Sequence, residues 1–194
     1  VGFGRSGSLF AHQQAAVKPD FLCLGKGLTG GYLPLSAVLT SEPVYQAFYD
    51  EYATLKAFLH SHSYTGNALA CAAANATLDL LADPALMPRI ERLGATLERA
   101  LAPLADHPHA SAMRRSGLIV AVDLITDRAS GRTYPWQERR GLRVYQHALK
   151  HGALLRPLGN TVYFMPPFAA SEDELRWLAG VAIAGIEVAT SEPR

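Results

Sequence analysis

The chain has 194 residues, 49% of them hydrophobic and 18% charged, a mixture that can bury a sizeable core and excludes an intrinsically disordered chain. Its 18 Lys and Arg nearly cancel its 17 Asp and Glu, so it has no broad electrostatic field to recruit nucleic acid or an anionic membrane. The two cysteines, Cys23 and Cys71, sit in apolar or alanine-rich surroundings without CxxC spacing, which predicts reduced packing thiols in the cytoplasm and no disulfide.

The chain opens at Val1 in a glycine-rich turn, with no basic and apolar leader before it, and is expected to be a processed protein or a fragment. Gly2-Phe3-Gly4-Arg5-Ser6-Gly7 has the spelling of a dinucleotide-binding GxGxxG. No strand is visible before it, however, Ser8 to His12 gives no helix start, and the acidic residue required about 20 positions on is missing. It reads instead as a turn that positions Arg5. Phe21 to Leu24 is a short apolar run stopped by Gly25-Lys26-Gly27, which predicts a buried strand ending in a tight loop. A second strand is predicted over Leu35 to Thr40 and a short helix over Glu42 to Glu51, starting near Pro43.

The polar loop His60-Ser61-His62-Ser63-Tyr64-Thr65-Gly66 leads into a predicted helix over Ala68 to Leu81, with Asn67 as its N-cap. Residues 67–82 are the most apolar stretch, yet Asn75, Thr77 and Asp79 interrupt them, so they fall short of the roughly 20 apolar residues that span a bilayer. Ile90, Leu93, Leu97, Leu101 and Leu104 recur at three- and four-residue spacing and predict an amphipathic helix. Beyond the His107-Pro108-His109 break, strands are predicted over Leu118 to Leu124, Ala153 to Arg156 and Thr161 to Met165, with a helix over Gln137 to Lys150. Ser171 and Glu174 have capping-box spacing for a last helix reaching Thr190. The fold class is α/β, with a boundary near residue 105: residues 1–105 complete a larger α/β domain and residues 106–194 form a smaller α+β domain.

Of the four lysines, Lys26 alone stands between glycines at the end of an apolar run. Desolvation there would disfavour the ammonium and leave an amine able to form an imine with an aldehyde; a solvated loop lysine is the alternative. A phosphate-loop reading fails, because Asp20 takes the place of the first glycine in GxxxxGK and Gly27 that of the Ser or Thr. His60 and His62 lack an evident third ligand, so no metal site is expected, and Ser63 is not in a GxSxG elbow. The hydroxyls and amides of residues 61–66, just ahead of a helix N-terminus, suit a phosphate, or else form a structural polar loop. Arg156 leaves an apolar strand and calls for an anion, either a substrate carboxylate or a structural Asp or Glu. Tyr163 could line the same pocket or belong to the core.

Taken together, the GFGRSG turn, PDFLCLGKGLTGG, the stretch His60 to Ala74, and Arg156 to Pro167 resemble, in order over nearly the whole chain, the class III pyridoxal-phosphate aminotransferases. Within that class, LGKGLTGGYLPLSAVLT, FLHSHSYTGNALACAAA and RPLGNTVYFMPPF look most like the members that aminate 8-amino-7-oxononanoate in biotin synthesis, with S-adenosylmethionine or lysine as donor. The resemblance implies a type I aminotransferase fold, of which this chain would be the C-terminal part, and pyridoxal 5′-phosphate as cofactor.

It further implies that Lys26 is the catalytic lysine that carries the cofactor and shuttles protons. His62 and Ser63 would contact the cofactor phosphate of a neighbouring subunit, so that a homodimer shares its active sites, and Ser61 would lie near the substrate. Arg156 would hold the substrate carboxylate, with Arg5 lining the pocket. The family more often has Thr at the place of Ser63 and Pro at that of His62. It also places an aspartate against the pyridine nitrogen shortly before the GFGR turn, and a phosphate site and a stacking aromatic further upstream. The resemblance therefore implies a longer enzyme of which these residues alone cannot transaminate. Two alternatives stand beside it: another class III enzyme acting on ornithine, a diamine or an ω-amino acid, and a non-catalytic dimerisation module.

Overall fold

The computed structural model describes residues 2–191. Contacts divide the chain into two compact units, Val1–Gly4 with Ser8–Leu86, and Arg5–Gly7 with Met87–Arg194.

In the first unit, strands β1 (Phe21–Gly25) and β2 (Ser36–Thr40) pair antiparallel, Phe21 opposite Thr40 and Gly25 opposite Ser36. The connection between them begins with a single 3-10 turn, Lys26–Thr29. Helix α1 covers only Glu42–Gln46, not the stretch to Glu51 that the sequence predicts. No residue of α1 is buried, and a short helix without an apolar face to bury has little to sustain it; the aromatics beyond it pack locally, Phe48 against Phe58 with ring centroids 5.4 Å apart. Helix α2 (Ala68–Leu81) starts where its cap predicts, Asn67 Oδ1 accepting from the Ala70 amide at 3.0 Å. Phe3, Leu28 and Ala74 form the buried centre, with Phe10, Leu24, Leu35, Ala37 and Leu81 packed around them.

The second unit is built on helices α3 (Leu86–Ala100), α4 (Arg140–Lys150) and α5 (Glu172–Ser191) and an antiparallel sheet of β3 (Arg114–Ser116), β4 (Ile119–Asp123) and β5 (Thr161–Phe164), in the order β3-β4-β5. The amphipathic pattern holds: Ile90, Leu93, Leu97, Leu101 and Leu104 are 0–2% exposed. Gly94 lets α3 approach the β3–β4 turn closely, since a Cβ there would stand 2.1 Å from the Gly117 carbonyl oxygen. Gly117 has φ +57°, and a Cβ on it would lie 2.2 Å from the Gly7 nitrogen, so segment Arg5–Gly7 lies directly against the turn. The Leu118 amide donates to the Arg5 carbonyl and the Ser116 hydroxyl to the Ser6 carbonyl.

Both halves of the capping box at α5 are present: Glu174 accepts from the Ser171 amide at 2.7 Å, and Ser171 Oγ accepts from the Glu174 amide at 3.2 Å. Residues Ala153 to Arg156 are not a strand; β5 pairs only with β4, and no described strand lies beside this segment. Burial nevertheless alternates along it, with Ala153 and Leu155 inside and Leu154 and Arg156 outside, the period that prompted the expectation. The break between the two units precedes most of α3, whereas the sequence boundary lies near residue 105, after it.

Asp123 on β4 accepts two hydrogen bonds from Arg114, at 2.6 and 3.1 Å, and one from the Thr161 hydroxyl at 2.7 Å. The Arg114 bonds chiefly hold its carboxyl below the usual carboxylate range. A carboxyl depressed in the folded state stabilises the fold above its unfolded value near 4, and that contribution is lost as pH falls further. Asp123→Asn is expected to cost about 1 kcal/mol at pH 7 and to flatten the decline in urea midpoint below about pH 4, measured as midpoints at successive pH values.

Candidate active site

The first unit carries Lys26 at the end of β1. Its backbone has φ +48°, a left-handed conformation that costs a residue with a Cβ about 1 kcal/mol or more and that collects at functional positions. The turn that imposes it is tightly built. Gly31 N–H donates to the Lys26 carbonyl at 3.0 Å and Gly30, with φ +63°, closes the turn by donating to the Gly27 carbonyl at 3.1 Å. Thr29, 1% exposed, donates its hydroxyl to the Leu33 carbonyl at 2.5 Å. Phe3 lies over Gly27 so closely that a Cβ there would come within 2.6 Å of its ring.

The Lys26 side chain is exposed, and among the described residues none pairs with its ammonium. Of the two sequence readings, the described residues match the solvated loop lysine: the strand end fixes its backbone, and they do not bury it. The turn packs on α2, where a Cβ on Gly30 would meet Thr77 Oγ1 at 3.5 Å. The N-terminus of the same helix is preceded by the loop holding Ser61, His62 and Ser63, so one rigid element supports both.

All of residues 61–69 are exposed. The loop is shaped by its own bonds: the His62 amide donates to Thr65 Oγ1 at 3.1 Å, the Thr65 amide to the His62 carbonyl at 2.9 Å, and the Tyr64 amide to His62 Nδ1 at 3.1 Å. With Nδ1 accepting, the neutral ring carries its proton on Nε2. Among the described residues, the hydroxyls of Ser61 and Ser63 have no protein partner.

The second unit carries Arg5, Arg156 and Tyr163. Arg5 is half-buried, lies 4.3 Å over the Phe168 ring and donates to the Pro166 carbonyl; burial holds its guanidinium below its usual value. It thus touches the segment just after β5, the strand that bears Tyr163, which is half-buried opposite Ala121. Arg156 is exposed, and no described Asp or Glu pairs with it, so the structural-carboxylate alternative finds no support among these residues. Phe3 was missed by the sequence reading, which assigned the opening turn to Arg5 alone. An aromatic held between Gly2 and Gly4 was the available signal, and its φ of +58° and its place over Gly27 make it a support for the lysine turn.

The sequence pattern of the family described as aminotransferase class-III matches residues 1–183. The chain belongs to the class III aminotransferases.

Among the curated class III relatives, adenosylmethionine-8-amino-7-oxononanoate aminotransferase of Helicobacter pylori is 46% identical over 96% of this chain and 41% of its own length. The enzyme of the same name from Nitratidesulfovibrio vulgaris is 46% identical over 99% of this chain and 35% of its own. The crystal structure of the Methanocaldococcus jannaschii enzyme of that name superposes with a TM-score of 0.88 at 36% identity, covering 96% of this chain and 44% of that one. An omega transaminase from Pseudomonas jessenii, solved in complex with PMP, gives a TM-score of 0.89 at 31% identity, covering 97% and 42%. This chain therefore spans about two fifths of the length of the class III relatives it matches, with their α/β fold.

Proposed function

We propose that the whole protein is a pyridoxal 5′-phosphate-dependent class III aminotransferase that converts 8-amino-7-oxononanoate to 7,8-diaminononanoate in biotin synthesis, with S-adenosylmethionine or lysine as the amino donor. The observation that carries the reading is Lys26, the exposed amine held in left-handed backbone at a strand end. The residues present fit the cofactor. The primary amine stands on a turn where Gly31 leaves open space beside the backbone, and the loop ahead of α2 offers hydroxyls without protein partners. Bound there, pyridoxal phosphate supplies an aldehyde carbon and an electron sink.

In this reading Lys26 Nζ holds the group and then takes and returns the proton at the substrate carbon that gains or loses nitrogen. Ser63 Oγ–H and His62 Nε2–H would donate to the phosphate held by the neighbouring copy, and Ser61 would lie near the substrate. Arg156 grips a carboxylate with two parallel N–H groups, beside Arg5 and Tyr163.

The same reading makes the protein a cytoplasmic homodimer whose copies share their active sites. Tyr52 and Leu59, each 93% exposed, and Tyr64, 75% exposed, give the first unit apolar surface for a partner copy or the rest of the whole protein to cover. Residues 1–105 complete the large domain and residues 106–194 form the small one. No helix among the described residues is long and apolar enough to cross a membrane.

Borohydride treatment of the full-length protein with pyridoxal phosphate tests the reading. Mass spectrometry is expected to find the reduced adduct on Lys26; a folded protein without one would leave the non-catalytic module as the better account. The structural likeness to omega transaminases favours a second reading, action on ornithine, a diamine or an ω-amino acid. Arg156→Ala separates the two. On the first reading kcat/KM for the carboxylate-bearing ketone falls about 10- to 100-fold, the worth of a charge-assisted pair, while turnover of a diamine is barely changed. An equal loss for both would set the carboxylate role aside.

A further inference from the structure

The C-terminal end of α4 carries two histidines, His147 and His151, one turn apart and therefore on one face. Their rings are stacked, with centroids 4.1 Å apart and planes at 24°. His151 Nδ1 lies 2.8 Å from the His147 carbonyl. A carbonyl can only accept, so Nδ1 carries the proton and the Nε2 lone pair of a neutral ring is left outward. That is the orienting bond a metal-ligating histidine characteristically makes with its second nitrogen. The His147 ring rests with its Cδ2 edge toward Gly185 of α5, and among the described residues no group bonds its nitrogens. His151 is exposed and His147 half-buried.

The other close histidine pair is arranged differently. His107 Nδ1 accepts from the His109 amide at 3.1 Å and Nε2 faces Glu187 at 3.4 Å, while His109 Nδ1 lies 2.9 Å from the Thr126 carbonyl. His107 is 7% exposed, and both of its nitrogens are already in use.

We propose that His147 and His151 form a two-histidine site for a divalent late first-row transition cation, copper, nickel or zinc, whose other positions are filled by water. The rings lie within 4.1 Å of each other, near enough that turning them out of the stack about their side-chain torsions brings both lone pairs onto one ion, each at a metal–nitrogen bond of ~2.0–2.1 Å. Two histidines four residues apart on a helix are also the pair that helical zinc motifs use. Among the described residues no group of three His, Cys, Asp or Glu could complete an all-protein cage, so the site is open and exchangeable. It selects imidazole-seeking ions over calcium and magnesium, which require oxygen.

A reporter stands beside it. Trp177 Cζ2 lies 3.9 Å from where a Cβ on Gly152 would be, next to His151, and Trp136 is this chain's only other tryptophan. Metal-stripped full-length protein titrated with Cu2+ at pH 7.5 should show a saturable fluorescence quench at one equivalent. The quench should be kept in Trp136→Phe and lost in Trp177→Phe. Zn2+, with its filled d shell, should compete and restore the signal, whereas Mg2+ should not. His147→Gln and His151→Gln should each weaken binding at least about tenfold. Unchanged affinity in both histidine variants, or no one-equivalent quench in the parent protein, would overturn the assignment. His151 also caps the helix end, so circular dichroism accompanies each variant. If His151→Gln loosens α4, His147→Gln decides the outcome.

Discussion

Replacing Lys26 by alanine should abolish transamination while leaving the protein folded. On the proposed reading the Lys26 amine holds the cofactor and moves the proton, and loss of the proton transfer alone is worth about 10²- to 10⁴-fold in rate. Lys26→Arg keeps a charge at the site but supplies no neutral amine, and should be as inactive as alanine. Stability separates this effect from damage to the turn. Because the backbone at position 26 has φ +48°, Lys26→Gly should be more stable than Lys26→Ala by about 1 kcal/mol. Both variants should lack activity and borohydride-trapped adduct, and urea unfolding of the pair reads the strain directly. An active Lys26→Ala would remove the mechanistic assignment.

The largest stability effect is expected at Arg140, which is 3% exposed. Its guanidinium donates to Glu138 at 2.8 and 2.9 Å and to the Ala189 carbonyl at 2.5 Å, and lies 4.6 Å over the Tyr134 ring. It thereby ties the start of α4 to the end of α5. Arg140→Ala removes this counter-charge from the Glu138 carboxylate, itself only 12% exposed. Breaking one side of such a buried pair costs about 3–5 kcal/mol. Replacing both partners, as in Arg140→Met with Glu138→Leu, should recover much of the loss, since an apolar pair of similar volume is often neutral. Urea midpoints of the two single variants and the double one test this, and a double variant no better than the worse single would show that the Ala189 and Tyr134 contacts dominate.

Elements governed by a local rule were legible in the sequence. Asn67 caps α2, Ser171 and Glu174 cap α5, and the leucine stripe of α3 is buried, because side-chain periodicity and capping depend on neighbours within a few residues. Elements that depend on a distant partner were not. Strand β3, Arg114-Arg115-Ser116, has no apolar signature and exists because β4 supplies its hydrogen bonds. Ala153 to Arg156 has the strand period but no described strand to pair with.

The candidate site divides along the same line. The glycines around Lys26 announced a tight turn, but not the left-handed lysine or the covering ring of Phe3, which comes from more than 20 residues upstream. Among the described residues Lys26 stays exposed, as in the solvated-loop reading, because its apolar run pairs there with β2 alone.

The placement of Arg5–Gly7 within the second unit has a kinetic side. These three residues are made well before their partners, which lie 110 residues later at Ser116 and 161 residues later at Pro166. Closing loops of that span is slow relative to hairpin or helix formation, so the second unit is discontinuous in time as well as in sequence. Until Pro166 and Phe168 are made, the Arg5 guanidinium lacks the carbonyl and the ring it packs against. A ribosome-stalled chain ending before Pro166 should therefore leave the GFGR segment open to protease, and one ending after α5 should protect it.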